Sequence, residues 1–225
     1  MTDKPKRVTQ CQRPSGWLGR LILRNMNSRH SQLTDWGLSH VSIENQDTVL
    51  DVGCGGGRTV SKLAVLASQG KVFGVDYSKD SVTVATKINH ALIETGRVEI
   101  WEGSVSRLPF PDNTFDLASA VETHFWWPDL PADMREVFRV LKPAATFILV
   151  AEIYKGAKTR TAKLAEKYLP SSGMKLLTVE EHRQLLTATG YLEVQVSMQE
   201  GKGWICVIGK KPSIQKNLHD PGKNI

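Results

Sequence analysis

The residues of this chain best suited to chemistry follow short apolar runs. After Thr48–Val52 the chain reads Asp51-Val52-Gly53-Cys54-Gly55-Gly56-Gly57-Arg58. A glycine-rich turn lets the backbone approach a ligand closely and take up positive φ. Gly53, Gly55 and Gly57 do not complete the dinucleotide fingerprint, because Arg58 stands at its last glycine position. Its side chain there would crowd a pyrophosphate. No Gly-Lys-Ser/Thr follows to make a phosphate loop either, so the turn points away from phosphates. A second site is Val75-Asp76-Tyr77-Ser78, after the run Lys71–Asp76. A carboxylate ending a second strand can accept hydrogen bonds from both hydroxyls of a ribose. Ser78 then suits the N-cap of the next helix. Set 25 residues beyond Asp51, Asp76 reads as a ribose ligand in preference to a loop carboxylate.

These residues need a scaffold of alternating strands and helices. Strands are expected at Thr48–Val52, Lys71–Asp76, Val98–Glu102, Phe115–Val121 and residues 146–152. Helices are expected over about 59–68, from 79 to about 95 and closed by Gly96, from Asp129 to about 140, and over Val179–Thr189, closed by Gly190. Residues 191–197 and Trp204–Lys210 read as a terminal antiparallel pair. The rhythm predicts an α/β fold: a doubly wound, Rossmann-like, seven-stranded and mostly parallel sheet with helices on both faces. Extra N-terminal helices precede it, one with Trp17, Leu18, Leu21, Ile22 and Met26 on its apolar face and a shorter one near 33–38. The expected organisation is a helical extension over 1–45 that can serve as a lid, a ligand-binding domain over 46–211 with an insertion at 153–177, and a polar tail over 212–225. Ligands of such sheets bind beyond the carboxyl ends of the strands.

Over about residues 48–211 the sequence resembles the class I S-adenosylmethionine (SAM) dependent methyltransferases. Val49 to Val60 is similar to their first motif, and Gly74 to Ser78 to the acidic second. Glu102 to Val121 is similar to the third-strand loop and fourth strand, and Glu136 to Glu152 to the helix and strand around Arg-Val-Leu-Lys-Pro. The nearest subgroup is the ubiquinone/menaquinone-biosynthesis and sterol enzymes, which act on small molecules. The resemblance implies SAM as cofactor and S-adenosylhomocysteine as product. It implies that Asp51 and the turn Gly53, Cys54, Gly55 and Gly57 hold the methionine part, Asp76 the ribose, and Tyr77 a face of adenine. Gly103, Ser104 and Val105 would line the adenine edge, and Glu122 would face the methionine end. Ser104 departs from the acidic residue common there, although a hydroxyl still accepts a hydrogen bond. Ala144-Ala145 replaces the usual Gly-Gly, at a cost of about 1–2 kcal/mol if either residue is left-handed.

Methyl transfer from a sulfonium is an in-line displacement, so proximity and alignment supply most of the catalysis, up to roughly 7–11 kcal/mol. A base is needed only for an acceptor whose proton must leave. Glu122, His124 and Glu152 stand at strand ends, with His124 the first choice because imidazole titrates near neutrality. Phe125-Trp126-Trp127 follows; core packing accounts for two of the three, leaving one to wall a pocket or face a sulfonium.

The bulk properties narrow the partners. The three cysteines, Cys11, Cys54 and Cys206, make neither a disulfide framework nor a zinc-ligand spacing, so no metal is expected. The polar, basic start has no signal-peptide core, and the apolar runs fall well short of a bilayer span. Cytoplasmic residence is the expectation. The net charge of +6 is concentrated in residues 1–34, 153–177 and 202–225 around an acidic remainder. Solvated tails and an exposed helix account for that, while attraction of an anionic acceptor or RNA is the alternative. Fourth-strand residues Phe115 to Trp127 contain no Asn/Asp-Pro-Pro-Tyr/Phe, which disfavours methylation of base amines. A small-molecule acceptor is expected. RNA methylation through the basic ends, a catalytically silent assembly partner and a nicotinamide dehydrogenase are the rival readings.

Overall fold

The computed structural model describes Gly16, Gly19 and residues 30–168, 173–199 and 201–213. The helix expected around residues 17–26 and nearly all of the tail lie outside these residues. Seven strands form one sheet in the order β3-β2-β1-β4-β5-β7-β6. They are β1 (Thr48–Val52), β2 (Lys71–Asp76), β3 (Val98–Glu102), β4 (Phe115–Val121), β5 (Leu141–Ala151), β6 (Leu192–Gln199) and β7 (Trp204–Lys210). The first five are parallel, and β7 runs antiparallel between β5 and β6. The helices are α1 (Ser31–Leu38), α2 (Arg58–Leu66), α3 (Lys79–Ile88), α4 (His90–Glu94), α5 (Leu130–Val140), α6 (Arg160–Tyr168) and α7 (Val179–Thr189). The expected doubly wound sheet is present, with strand order reversing between β1 and β4.

The central strands β1, β4 and β5 are largely apolar and buried because successive residues feed opposite faces and both faces are covered. Leu50, Phe115, Met134, Phe147 and Leu186 share one core. Val49, Leu63, Val72, Ala85 and Ile148 share the other, and Leu33 of α1 joins them. Gly37 of α1 lies so close to β5 that a Cβ there would sit 2.5 Å from Val150 Cγ2. Residues 31–38 are therefore built into the sheet's core, and Leu33 is 1% exposed.

Two elements differ from expectation. The helix foreseen over 79–95 breaks at Asn89, whose buried side chain serves the glycine turn. Its Nδ2 donates to Gly57 O at 3.0 Å and Ala85 O at 2.9 Å, while its Oδ1 accepts from Ser61 Oγ at 2.8 Å. Those bonds draw the end of α3 to the turn, and α4 restarts at His90. Strand β5 begins five residues early, at Leu141, and its pairing with β4 shifts register between Phe115 and Leu117. Ala144 sits in that irregular stretch at φ 65°, and its N–H donates to Lys211 O at 3.0 Å. A left-handed alanine costs about 1–2 kcal/mol, and the Ala144 side chain is exposed, so it gains little packing. Ala144→Gly is expected to raise the melting temperature by roughly 2–5 °C in a domain of this size. An unchanged or lowered midpoint in thermal unfolding would refute that strain.

The insertion carries α6, where Ile153, Ala157, Ala162 and Ala165 form a small core of their own. Its base is pinned by Lys155 N–H to Leu177 O at 2.8 Å. Its returning arm is clipped to the loop after β4 by Lys175 N–H to Phe125 O at 3.0 Å and by Lys175 Nζ to Pro128 O at 2.9 Å.

Candidate cofactor site

At the carboxyl end of β1 the chain turns through Gly53, Gly55 and Gly57 at φ 74°, 51° and 78°. The N–H groups of Gly53 and Cys54 both donate to Val75 O, at 2.7 and 3.0 Å, which ties the turn to the end of β2. Gly53 is irreplaceable for a second reason: a Cβ there would lie 2.1 Å from Thr123 Oγ1 in the loop after β4. At Gly57 it would meet Ala85 Cα at 2.8 Å.

Asp76 closes this arrangement. Its Oδ2 accepts from Gly55 N–H and its Oδ1 from Ser78 N–H, both at 2.9 Å. Ser78 caps α3 through Ser81 N–H as expected. Burial pushes the Asp76 carboxyl up, and the bonds from Ser78, Gly55 and Ser81 pull it back. A carboxylate has about four lone-pair sites, so these three bonds leave room for a ribose hydroxyl donor.

A cavity of about 160 Å³ opens directly over this carboxylate. Gly53, Asp76, Tyr77, Ser104 and Val105 line it together with Val52, Val75, Trp126, Trp127 and Pro128. Sites that enclose a whole drug-sized ligand run to about 300–1,000 Å³, so this one encloses part of its ligand. Five of the residues singled out in the sequence (Gly53, Asp76, Tyr77, Ser104 and Val105) line it together. Trp126 and Trp127 were anticipated only as members of an aromatic run. Both join the cavity wall, and Trp127 is held by its Nε1–H to Thr123 Oγ1 at 3.2 Å. Ser104 Oγ already accepts from Ser106 N–H at 3.2 Å, starting the short 3-10 turn Val105–Arg107.

The other expected cofactor residues stand behind the lining. Gly55 and Gly57 shape the turn, and Gly103 N–H donates to Asp76 O at 3.0 Å. Cys54 is buried against Gly74. Burial, then the charges of Asp76 and Asp51, push its thiol well up and keep it neutral. Asp51 is 2% exposed and accepts from Ser119 Oγ at 2.7 Å. Burial pushes its carboxyl up to about 7, against the bond from Ser119 and with Asp76 adding to it. Unfolded, the same group titrates near 3.8. As pH rises from about 4 the unfolded chain releases this proton first, so stability falls until about pH 7 and then levels off. Asp51→Asn keeps an acceptor for Ser119 and removes that fall. The variant should gain thermal stability over wild type at pH 8 and gain nothing at pH 4; equal shifts at both would sink the assignment.

His124 lies inside the protein, 1% exposed, in the 3-10 turn His124–Trp126. Its Nε2 is 3.1 Å from His182 Nε2. His182 Nδ1 is 2.7 Å from Thr178 O, so that nitrogen carries a proton and the facing Nε2 accepts from His124. Burial lowers both imidazoles, and each stays neutral. His124 is thus a post under the loop that carries Trp126 and Trp127, and the cavity lining does not include it. Glu122 also turns away from the cavity. Its backbone is left-handed at φ 60°, and its Oε1 accepts from the backbone N–H of Glu152. Neither contact was legible in the sequence, because His182 and Glu152 lie far along the chain and meet these residues only in the fold.

The mostly parallel sheet thus places a cleft at the β1/β4 reversal, between a glycine turn and an acidic β2 terminus. Residues 50–149 match the family described as a methyltransferase domain. An O-methyltransferase of Pyrenophora dematioidea is 26% identical over 168 residues, covering 74% of this chain and 62% of that protein. A demethylmenaquinone methyltransferase of Symbiobacterium thermophilum is 37% identical over 103 residues, 45% of this chain and 41% of that protein. The chain thus spans under two thirds of either relative's length. Among solved structures, a methyltransferase in complex with the Haloferax volcanii Trm112 methyltransferase activator superposes with a TM-score of 0.75 at 22% identity, covering 92% of this chain and 99% of that one. A SAM-dependent methyltransferase from Aquifex aeolicus gives 0.67 at 20% identity, covering 85% and 97%.

Proposed function

We propose that this protein binds SAM in the cavity over Asp76 and transfers its methyl group to a small, largely apolar acceptor. The observation that carries the reading is the Asp76 carboxylate, fixed to the glycine turn by Gly55 N–H and to α3 by Ser78 N–H. It faces a cavity with aromatic walls. Those features fit the cofactor: the carboxylate takes ribose hydroxyls, Tyr77 and Val105 flank a flat base, and the open backbone at Gly53 takes the amino-acid part. Bound there, SAM supplies an electrophilic sulfonium methyl.

The protein's own contribution is to hold and exclude. Trp126 and Trp127 wall off water beside Gly53, and their π faces favour a cation over bulk apolar surface. The clipped arm of the insertion, Lys175 to Phe125 and Pro128, holds that wall from behind. The small-molecule class draws support from relatives described as demethylmenaquinone and cycloartenol-C-24 methyltransferases. No helix among the described residues is long and apolar enough to cross a membrane. The buried free thiols Cys54 and Cys206 support a reducing compartment, the cytoplasm. Calorimetric titration with S-adenosylhomocysteine and with NADH tests the reading. Micromolar or tighter binding of the first alone is expected. No binding, or preference for NADH, would overturn it. Mass-spectrometric screening of quinol, phenol and sterol acceptors, with RNA at low salt as a comparison, then tests the acceptor class.

A further inference from the structure

The outer face of the insertion is basic. Residues 155–167 hold Lys155, Lys158, Arg160, Lys163 and Lys167 against a single acidic residue, Glu166. On α6 the buried positions are Ala162 and Ala165. At about 3.6 residues per turn, Arg160, Lys163, Leu164 and Lys167 fall in one stripe on the opposite side. All four are exposed, and Leu164 stands among the cations 47% exposed. Glu166 is turned to the backbone, its Oε1 accepting from Gly156 N–H at 2.5 Å. A distant segment adds to the same face. The turn between β6 and β7 packs on the start of α6, where a Cβ on Gly203 would lie 3.0 Å from Thr159 Oγ1. That turn carries Lys202, whose Nζ sits 4.1 Å from the Trp204 ring centroid. We propose that this face docks the protein on an anionic phospholipid surface, with its cleft toward the bilayer that holds the acceptor.

Three observations support it. The charge is complementary, since basic clusters on an amphipathic helix are drawn to the negative surface of a membrane. The stripe is also built for a bilayer. A helix that faces only water has no need of a large apolar side chain in the middle of its basic face. Leu164 there can enter the headgroup boundary while Arg160 and Lys163 stay at the phosphates. That apolar member favours lipid over RNA, whose backbone is met by charge. The third observation is position. The insertion follows β5, which runs parallel beside β4, so α6 stands at the cleft end of the sheet. Its returning arm is the one clipped to Phe125 and Pro128 behind the cavity wall. The charge run was legible in the sequence. The stripe and its meeting with Lys202 required the fold.

The purpose of docking rests on the methyl-transfer reading: an apolar acceptor partitions into the bilayer, and a docked enzyme takes it from there without a passage through water. The test is flotation of the full chain with phosphatidylcholine vesicles, with and without phosphatidylglycerol, at rising salt. Binding to the anionic vesicles at least tenfold tighter than to the neutral ones is expected, weakening as salt screens the charges. Affinity should fall by about tenfold or more in Arg160→Glu and in Lys163→Glu, and several-fold in Leu164→Ser. Lys87→Glu, the same charge change at an exposed position of α3, should leave it unchanged. Circular dichroism checks that each variant folds. S-adenosylhomocysteine titration should be unaffected in all of them, since none of these residues lines the cavity. No binding to anionic vesicles, equal binding to both kinds, binding to RNA alone, or binding that the reversals leave intact would overturn the docking surface. Vesicle binding by a protein that takes up no S-adenosylhomocysteine would keep the surface and overturn its part in methyl transfer.

Discussion

Asp76→Asn is expected to weaken S-adenosylhomocysteine binding by about 100-fold while the protein stays folded. Hydrogen bonds to a charged group contribute about 1.5–3 kcal/mol each, and each 1.4 kcal/mol is a factor of about ten in affinity. Losing the charge-assisted ribose contact therefore costs up to about 3 kcal/mol. The asparagine retains one oxygen for Gly55 or Ser78 N–H, but its amide donor opposes the other. Since burial disfavours the charged carboxyl, removing that charge offsets part of the local loss. Calorimetry with wild type and variant measures the difference, and unfolding midpoints show whether the fold survives. A loss below threefold in a folded variant would mean that Asp76 holds the turn and touches no ribose.

Gly53→Ala should cost both fold and binding. The new methyl would sit 2.1 Å from Thr123 Oγ1 and 2.8 Å from Thr123 Cβ. Its backbone would also remain at φ 74°. Left-handed strain contributes about 1–2 kcal/mol, and overpacking about 1–3. At roughly 2–4 °C per kcal/mol, the midpoint should fall by about 10 °C. Binding should suffer too, since Thr123 anchors Trp127 through its Oγ1 and its displacement moves the cavity wall. Adding Thr123→Gly should restore the packing part of the stability and leave the strain part. Independent, additive losses in the double variant would show that the two residues are not in contact in solution.

How much of this was legible in the sequence depends on how far apart the cooperating residues lie. The seven strands followed from apolar runs bounded by polar and glycine-rich stretches, because a sheet covered on both faces needs continuous apolar strands. Gly53–Gly57 and Asp76–Ser78 were legible as short motifs, since each acts through backbone its neighbours supply. Even the unusual Ala144 was flagged by its position, and the structure places it at φ 65°.

Local pattern misled where a distant partner won. The helix expected to run past residue 89 breaks because Asn89 bonds to Gly57 and Ser61, gains that no helix propensity contains. His124 looked suited to acid–base work from its place after a strand. Its fate was decided by His182, which α7 brings 3.1 Å from it, and by burial that keeps both imidazoles neutral.

The sequence by itself determined the class of fold, the order of its strands and helices, and the two motifs that meet at the cleft, since period, turn chemistry and short-range spacing encode all three. Only the tertiary structure decided which polar side chains face the cleft and which are buried. It alone set Trp126 and Trp127 on the cavity wall and brought the turn that carries Lys202 against the start of α6. Those outcomes depend on which strands are neighbours and on what the helices cover, and contacts between chain-distant residues exist only once the sheet has formed.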